Sequence, residues 1–247
     1  MMYQKMVCLI MENNLIYQYY IQYSGTNQEV ICENANGLPD WAELGITSGK
    51  KYAETIGVQY EFSDQVTIHA PNQNLEACRV FLDPYFDQFD KVLMLDIDTL
   101  VFTKENIFDQ EIADVGMIQD GGPGSPQGFI HNIINQLESY GGIEFKRSKT
   151  FPNEKRYLNG GVVLWSKEGR LKARERFGGL EEMFRYREAL RLNEQPYLNL
   201  MLNKHNIEVT ELSNQWNRMN YMWTAGIPDG KINHFLALHK KRMKDFA

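Results

Sequence analysis

One short apolar run, followed at once by two acidic residues, constrains the fold of this chain more than any other feature. Lys91 to Leu95 (KVLML) carries four apolar side chains in succession, and the sequence continues as Asp96-Ile97-Asp98. Consecutive apolar residues predict a strand that is buried on both faces, as in a parallel sheet covered by helices. In such sheets ligands bind beyond the carboxyl ends of the strands, so Asp96 and Asp98 are expected at a binding site.

The rest of the chain alternates strand-like and amphipathic helical segments, which is typical of an α/β domain with a mostly parallel sheet. The predicted strands are Leu15–Gln22, Val58–Phe62, Lys91–Leu95, Val115–Ile118 and Tyr157–Trp165; the predicted helices run from Asp40 to Gly57 and over Leu75–Phe86, Phe129–Tyr140 and about Glu168–Leu192. We find no linker, which predicts a single domain over residues 1–247, with residues 1–14 set apart as an extension.

The charged stretch at 168–192 is expected to form one helix. Leu180, Met183, Phe184 and Leu190 should lie on its inner face. Its many arginines predict a solvated face and not a binding patch, because arginine is seldom buried.

Composition excludes several classes of protein. The 247 residues include 26 Lys and Arg against 32 Asp and Glu, a net charge of −6, whereas nucleic-acid-binding domains are usually basic. No apolar run reaches the roughly 18 to 20 residues that a membrane span needs. Cys8, Cys32 and Cys78 are an odd number without metal-ligand spacing, which favours free thiols in a reducing compartment. We therefore expect a cytoplasmic protein that does not bind nucleic acid and has no transmembrane segment.

Two carboxylates at the end of one strand repel each other unless a cation lies between them or one of them is protonated. Carboxylate oxygens suit Mg²⁺ or Mn²⁺, which keep coordination positions open for water and substrate phosphates. Haloacid-dehalogenase-like phosphatases also place such a pair after an apolar strand. Their motif has Thr or Val two positions after the second aspartate, where this chain has Leu100.

Three further blocks follow the paired aspartates along the chain. They are Tyr157–Leu164 (YLNGGVVL), Glu194–Asn199 (EQPYLN) and His234-Phe235 followed by Lys240 and Lys241. Together with Val92–Val101, and over about residues 50–241, they resemble in order and spacing the motifs of GT-A-fold nucleotide-sugar-dependent glycosyltransferases, in particular the glycogenin-like family 8 branch. The resemblance implies a Rossmann-like, mostly parallel central sheet flanked by helices.

The resemblance also implies an activity. The expected enzyme is a divalent-metal-dependent hexosyltransferase that moves a sugar from a nucleoside-diphosphate donor, with UDP as the default, to a glycan or other hydroxyl acceptor. Mn²⁺ or Mg²⁺ would be held by Asp96, Asp98 and His234, with Asp98 the more direct carboxylate ligand and His239 the alternative to His234. A metal-dependent phosphohydrolase and a non-catalytic nucleotide-sugar-binding module are the competing interpretations.

The donor sugar is expected at the second and third blocks. Glycines such as Gly160 and Gly161 weaken a strand unless another group must approach the backbone closely, so either a β-bulge or a sugar ring packed beside Asn159 would explain them. The resemblance implies that Glu194 holds a sugar hydroxyl, or acts as a base if the enzyme inverts. It also implies that Gln195 lies near the anomeric carbon.

The phosphates and the base are expected elsewhere. Lys240 or Lys241 would contact phosphate. Arg79, the one cation in the helix predicted ahead of Asp96 and Asp98, is a further candidate for contact with the donor. Tyr23, with Ser24 and Gly25, is the candidate for the base if Leu15–Gln22 is the first strand; otherwise the base would bind at Glu33–Leu38.

Departures from the family pattern mark a divergent member. Ala77 replaces an expected Lys, Pro196 replaces a second acidic residue, and Ala237 replaces a phosphate-contacting Gly. If Glu194 does not hold the sugar, Asp120 is the next candidate.

Overall fold

The computed structural model describes residues 12–24, 31–33, 37–68, 73–121, 125 and 127–247. Most of the expected extension 1–14, together with Gly25 and the centre of the alternative base loop 33–38, lies outside the described residues.

The five predicted strands lie in the expected order, although the first ends at Tyr19 and not at Gln22, and six short strands are added among the described residues. The strands are β1 (Asn14–Tyr19), β2 (Gln22–Ser24), β3 (Ile31–Glu33), β4 (Gln59–Ser63), β5 (Lys91–Leu95), β6 (Thr99–Val101), β7 (Val115–Gln119), β8 (Leu158–Ser166), β9 (Val209–Glu211), β10 (Arg218–Met219) and β11 (Ile232–His234). The helices are α1 (Asp40–Ile56), α2 (Arg79–Leu82), α3 (Gln127–Gly141), α4 (Lys167–Arg176), α5 (Gly179–Leu190) and α6 (Glu194–Lys204). Short 3₁₀ helices cover Gln73–Cys78, Pro84–Gln88, Ile107–Asp109, Asn214–Trp216, Asn220–Met222 and Ala237–Asp245.

The main sheet has six strands in the order β4-β1-β5-β8-β7-β9, and among these only β8 runs antiparallel to its neighbours. Alternate side chains of β5 enter two separate apolar clusters: Val92 and Met94 join one, and Leu93 and Leu95 join the other. Both faces of the sheet are therefore buried, as the apolar run predicted. The expected fold class, a mostly parallel sheet flanked by helices, is confirmed.

A second sheet of three strands, in the order β10-β11-β6, brings the end of the chain back to the paired aspartates. Its register sets His234 opposite Thr99 on one side and opposite Met219 on the other. The backbone N–H of Phe235 donates to the carbonyl of Asp98 over 2.9 Å. His234 thus lies beside Asp96 and Asp98 because the strands pair, although more than a hundred residues separate it from them in the sequence.

Helix α1 fixes the other side of this turn. The helix begins after Pro39 and ends at Gly57 in the left-handed conformation (φ 72°), as predicted. Its glycine Gly45 faces the turn so closely that an added Cβ would lie 1.6 Å from the carbonyl oxygen of Ile97. Ser48, one turn further on, accepts a hydrogen bond from the N–H of Val101 over 2.9 Å. Small residues therefore let α1 lie directly on the backbone that carries the aspartates.

The structure departs from the sequence prediction in two helical regions. The expected helix Leu75–Phe86 is divided into two 3₁₀ turns and the short α2, because Pro84 follows Asp83, whose side chain caps the second turn at Tyr85. The charged stretch 168–192 is two helices, because Gly178 adopts a positive φ of 75° between them. No described helix is long and apolar enough to cross a membrane.

The charged stretch also differs from its predicted faces. Leu180 is 43% exposed and not on the inner face, whereas Met183 is buried as expected. Arg170 was expected in solvent but is fully buried. Its guanidinium donates to the carbonyls of Trp165, Phe86 and Phe89 over 2.5–3.2 Å. These carbonyls accept from both terminal nitrogens of the buried guanidinium, so Arg170 ties α4 to the loop before β5, while its Nε has no hydrogen-bond partner among the described residues.

Candidate functional site

A cavity of about 310 Å³ opens where β1 and β5 end and α6 begins, at the edge of the sheet where binding was expected. It is lined by Tyr19, Ile21, Asn74, Asp96, Ile97, Asp98, Asn159, Glu194, Gln195, His234, Leu236, Ala237 and Lys240. The strand β8 contributes because it is antiparallel, so that its first residues lie beside the last residues of β5. Parts of all four sequence blocks therefore meet in one cavity.

Asp96, Asp98 and His234 form the polar centre of this cavity. Nε2 of His234 lies 3.0 Å from Oδ1 of Asp98 and 3.7 Å from Oδ2 of Asp96. One ligand atom from each of the three residues lies within 4.8 Å of the others. Asp98 and His234 are buried, whereas the Asp96 side chain is 35% exposed and faces the opening. His239, the alternative ligand, instead packs edge-on against Trp223 with a ring separation of 6.2 Å.

The three groups perturb one another strongly. Burial and the neighbouring charge of Asp98 raise the pKa of Asp96. Burial also disfavours the ionised form of Asp98, but His234 and Lys240 outweigh it and hold the pKa of Asp98 below its usual range. Burial lowers the pKa of His234, and the two carboxylates raise it by more. The site thus favours positive charge between Asp96, Asp98 and His234.

These residues fit a divalent cation. Oδ1 of Asp98 is buried and accepts no hydrogen bond among the described residues, although Nε2 of His234 is 3.0 Å away. Two carboxylates and an imidazole converging at a partly open position are a ligand set that suits Mn²⁺ or Mg²⁺. The remaining oxygen of Asp98 lies 2.8 Å from Nζ of Lys240. That ammonium also lies 4.6 Å from the centre of the Trp41 ring, which holds it at the cavity.

The paired glycines at the start of β8 lie where the pairing of β8 with β7 is irregular, in agreement with the β-bulge alternative: Gly116 pairs with Leu164, but Ile118 pairs with Asn159. An added Cβ at Gly161 would lie 2.2 Å from Cε1 of His234, so this glycine makes room for the imidazole. An added Cβ at Gly160 would make only ordinary contacts with Gln195. The N–H of Gly160 instead donates to Oε1 of Gln195 over 2.9 Å.

Asp120 is the centre of a second polar group. Its carboxylate accepts hydrogen bonds from Gln195 over 2.9 Å, from Tyr221 over 2.6 Å and from Asn159 over 3.3 Å. Gln195 and Asn159 also line the cavity. Asp120 therefore orients two amides that line this part of the cavity.

Glu194 is the first residue of α6 and lines the cavity beside these amides. Its Oε2 is buried and has no hydrogen-bond partner among the described residues. Burial raises the pKa of Glu194, against the hydrogen bonds from its own N–H, the Asn74 side chain and the N–H of Gln195. A carboxylate held there, with one oxygen unused, can accept a hydrogen bond from a ligand.

Two predicted donor contacts do not reach the cavity. Arg79 lies over the rings of Tyr17 and Phe86 and pairs with Asp83 over 3.0 Å, so its charge is used within the fold. Lys241 is exposed and is not among the residues that line the cavity, whereas Lys240 is. The backbone of Tyr23 belongs to β2, whereas its side chain lies outside what the structure describes.

Sequence reasoning missed several residues of the site. Tyr19, Asn74 and Leu236 line the cavity, but the sequence around them carries no pattern that distinguishes them. Ala237 keeps a left-handed backbone (φ 52°), the conformation that a glycine would adopt more easily. The shape expected of a glycine at this position is therefore retained despite the substitution.

Comparison with known proteins places the fold. Neither a protein-family model nor a curated protein sequence matches this chain. Among solved structures, a glycosyltransferase involved in glycosylation of the major capsid of PBCV-1 is 12% identical, with a TM-score of 0.57 over 94% of this chain and 98% of that one. The galactosyltransferase LgtC, solved in complex with donor and acceptor sugar analogues, is 14% identical, with a TM-score of 0.51 over 94% of each chain.

The bifunctional glycosyltransferase WbbM is similar over 93% of this chain but only 46% of its own length, at 12% identity and a TM-score of 0.52. At such low identity the likeness defines the fold. This chain has the GT-A fold of nucleotide-sugar glycosyltransferases, as the sequence blocks predicted.

Proposed function

We propose that this chain is a divalent-metal-dependent glycosyltransferase. It would transfer a hexose-type sugar from a nucleoside-diphosphate donor, with UDP as the family default, to a hydroxyl group of a glycan or another acceptor. One observation carries the proposal. The three residues that could bind a metal ion (Asp96, Asp98 and His234) and the start of α6, with Glu194 and Gln195, line a single cavity of a GT-A fold.

The chemistry of such a cavity follows from charge. When the bond between the anomeric carbon and the diphosphate oxygen breaks, negative charge develops on the leaving diphosphate. A divalent ion bound by Asp96, Asp98 and His234 would offset this charge as a Lewis acid. The ammonium of Lys240, 2.8 Å from Asp98, is positioned to contact a phosphate oxygen as a point charge.

The sugar would lie on the other side of the cavity. Asn159 and Gln195 are oriented by Asp120, and Glu194 has an unused carboxylate oxygen. We propose that these three side chains hold the donor sugar, with the backbone at Gly160 beside them. Tyr23 remains our prediction for the nucleobase, and the free, buried thiol of Cys78 supports a reducing cytoplasm as the location.

A ligand panel on the wild-type protein tests the proposal. Thermal unfolding would be followed with nucleoside diphosphates and nucleotide sugars, each with and without Mn²⁺. A ligand present at about 100 times its Kd adds about 2.7 kcal/mol to the free energy of unfolding, which corresponds to a Tm increase of about 5–10 °C for a domain of this size. We expect that increase only for a nucleoside-diphosphate compound together with the metal.

The same panel separates the competing functions. Turnover of a nucleotide sugar, as transfer or as slow donor hydrolysis, is expected of a glycosyltransferase. Hydrolysis of a simple phosphate ester with no response to nucleotide sugars would instead support the phosphohydrolase. Metal-dependent nucleotide-sugar binding without any turnover would identify a non-catalytic module.

Glu194→Gln separates binding of the diphosphate from the chemistry of the sugar. Because Glu194 lies on the sugar side of the cavity, the affinity for the nucleoside diphosphate should stay unchanged. Transfer should fall about 10²-fold or more, as expected when a positioned carboxylate is removed from the transition state. Donor hydrolysis should fall in parallel, because both reactions break the same glycosyl bond. Calorimetry and a hydrolysis assay measure the two effects.

Glu43→Gln is the matched control for this variant. Glu43 is an exposed acidic residue in the first turn of α1, so it shares the favourable interaction of Glu194 with a helix N-terminus but not its place in the cavity. If both variants turned over at the wild-type rate, Glu194 would only stabilise the start of α6, and Asp120 would be the next candidate to hold the sugar.

A further inference from the structure

Asn217 is a buried polar residue that the proposed chemistry does not use. It follows the 3₁₀ turn Asn214–Trp216 and precedes β10, the strand that pairs with β11. Its side chain is fully buried, so both ends of its amide need partners. One partner is Asn159 at 2.8 Å, and the other is Nδ1 of His234 at 3.2 Å.

The orientation of this amide can be deduced from the backbone. The N–H of Gly161 donates over 2.9 Å to the side chain of Asn159, and because a backbone N–H can only donate, the atom it meets is the Asn159 oxygen. That same oxygen faces Asn217, which must therefore present its NH₂ group there. The oxygen of Asn217 is left facing Nδ1 of His234.

The ring nitrogen that faces an amide oxygen must carry a hydrogen. In the neutral ring that can bind a metal ion, Nδ1 of His234 therefore carries the hydrogen, and the lone pair of Nε2 is directed at Asp98 and Asp96. When the ring is protonated, Nε2 carries a hydrogen as well. Gly161 contributes twice, since its N–H fixes Asn159 and its missing side chain leaves room for the imidazole.

We propose that Asn217 is a positioning residue that holds His234 in the tautomer able to ligate a divalent cation through Nε2. This inference rests on the proposed metal site and adds a residue that the sequence blocks do not include. Partners that fix the tautomer and the ring orientation of a ligating histidine typically contribute about 10- to 100-fold to metal affinity.

Asn217→Leu and Asn217→Asp test the role. Leucine keeps the approximate shape but cannot accept the Nδ1 hydrogen, whereas aspartate retains an acceptor at that position. We expect Asn217→Leu to lower the Mn²⁺ affinity by about 10- to 100-fold, and Asn217→Asp to recover a large part of the loss. Binding would be measured from the electron paramagnetic resonance of free Mn²⁺ without nucleotide, so that no activity is needed.

A second measurement needs no metal. In protein labelled with ¹⁵N-histidine, the wild type should show a slowly exchanging Nδ1–H resonance from His234, assigned by its absence in His234→Gln. The resonance should persist in Asn217→Asp. At a pH at which the ring is neutral, it should disappear in Asn217→Leu, because the ring then places its hydrogen on Nε2, where Asp98 can accept it.

Asn233→Leu is the matched control. Asn233 is equally buried and lies next to His234 in β11, but within the described part of the chain its amide bonds only to the backbone of Gly230. It should lose stability and keep both the resonance and the Mn²⁺ affinity. Equal Mn²⁺ affinities in Asn217→Leu and Asn233→Leu, with the resonance retained in both, would overturn the role of Asn217 alone. A wild-type protein that binds no Mn²⁺ would overturn the metal site itself.

Discussion

Asp98→Asn should remove the Mn²⁺-dependent part of nucleoside-diphosphate binding while the protein stays folded. The substitution keeps the shape of the side chain but removes its negative charge, which His234 and Lys240 stabilise. We expect the affinity measured with Mn²⁺ to fall by about 100-fold or more, since changing only an outer partner of a metal ligand already costs about 10- to 100-fold. Affinity measured with a chelator should be nearly the same in wild type and variant. Calorimetry under both conditions provides the comparison.

Asp109→Asn is the control for loss of one negative charge. Asp109 is exposed at the end of the 3₁₀ turn Ile107–Asp109 and lines no part of the cavity. It should bind metal and nucleotide as the wild type does, and circular dichroism should give the same fold for all three proteins. If Asp98→Asn retained the full Mn²⁺-dependent affinity, the assignment of Asp96, Asp98 and His234 as a metal site would be wrong.

Local patterns predicted those parts of the fold that depend on local causes. The bounds of β5 agree with the prediction residue for residue, because a run of apolar side chains can be satisfied only by burial on both faces. The start of α1 at Asp40 and its end at Gly57 follow from backbone preferences that act within one turn. The position of Asp96 and Asp98 at the sheet edge follows from β5 in the same way.

Contacts between segments that are distant in the sequence could not be predicted from such local patterns. His234 was singled out only by resemblance, because its place beside Asp98 depends on the pairing of β11 with β6. The prediction for Arg170 was wrong because three carbonyls from two separate segments accept hydrogen bonds from its guanidinium in the interior. Arg79 likewise had the right charge for a phosphate contact, but aromatic rings and Asp83 occupy it.

The glycines show the same division between local and distant causes. A glycine pair inside a strand indicates that something approaches the backbone closely, and this much was predictable from Gly160 and Gly161. The approaching group is the ring of His234, which comes from a strand more than seventy residues further on. The pattern therefore predicted an irregular strand with a close approach at this position, as the shifted register of β7 and β8 shows, whereas the contact with His234 depends on tertiary packing and could not be predicted.

Gly45 is another glycine at which a distant segment approaches the backbone closely, here the turn that carries Asp96 and Asp98. It belongs to a stripe of small buried residues on α1, with Ala42, Gly49 and Ala53, that lies against the sheet. At Gly49 an added Cβ would meet the end of the Gln18 side chain at 2.3 Å, and a side chain can rotate away. At Gly45 the obstacle is the carbonyl of Ile97, at 1.6 Å, in the backbone between the two aspartates. Here either the helix or the turn that carries Asp96 and Asp98 has to move.

Gly45→Ala should therefore cost about 3 kcal/mol or more of the free energy of unfolding, at or above the upper end of ordinary overpacking effects. It should also weaken Mn²⁺ binding, because the displaced turn carries both carboxylates. Urea unfolding and Mn²⁺ titration measure the two effects, and Gly49→Ala provides a milder variant if Gly45→Ala does not fold. Gly128→Ala is the control: it lies in α3 with nothing within 4 Å of the added Cβ, so its stability should be unchanged or higher by up to about 1 kcal/mol. If Gly45→Ala had the same stability and Mn²⁺ affinity as the wild type, α1 would not lie against the turn that carries Asp96 and Asp98.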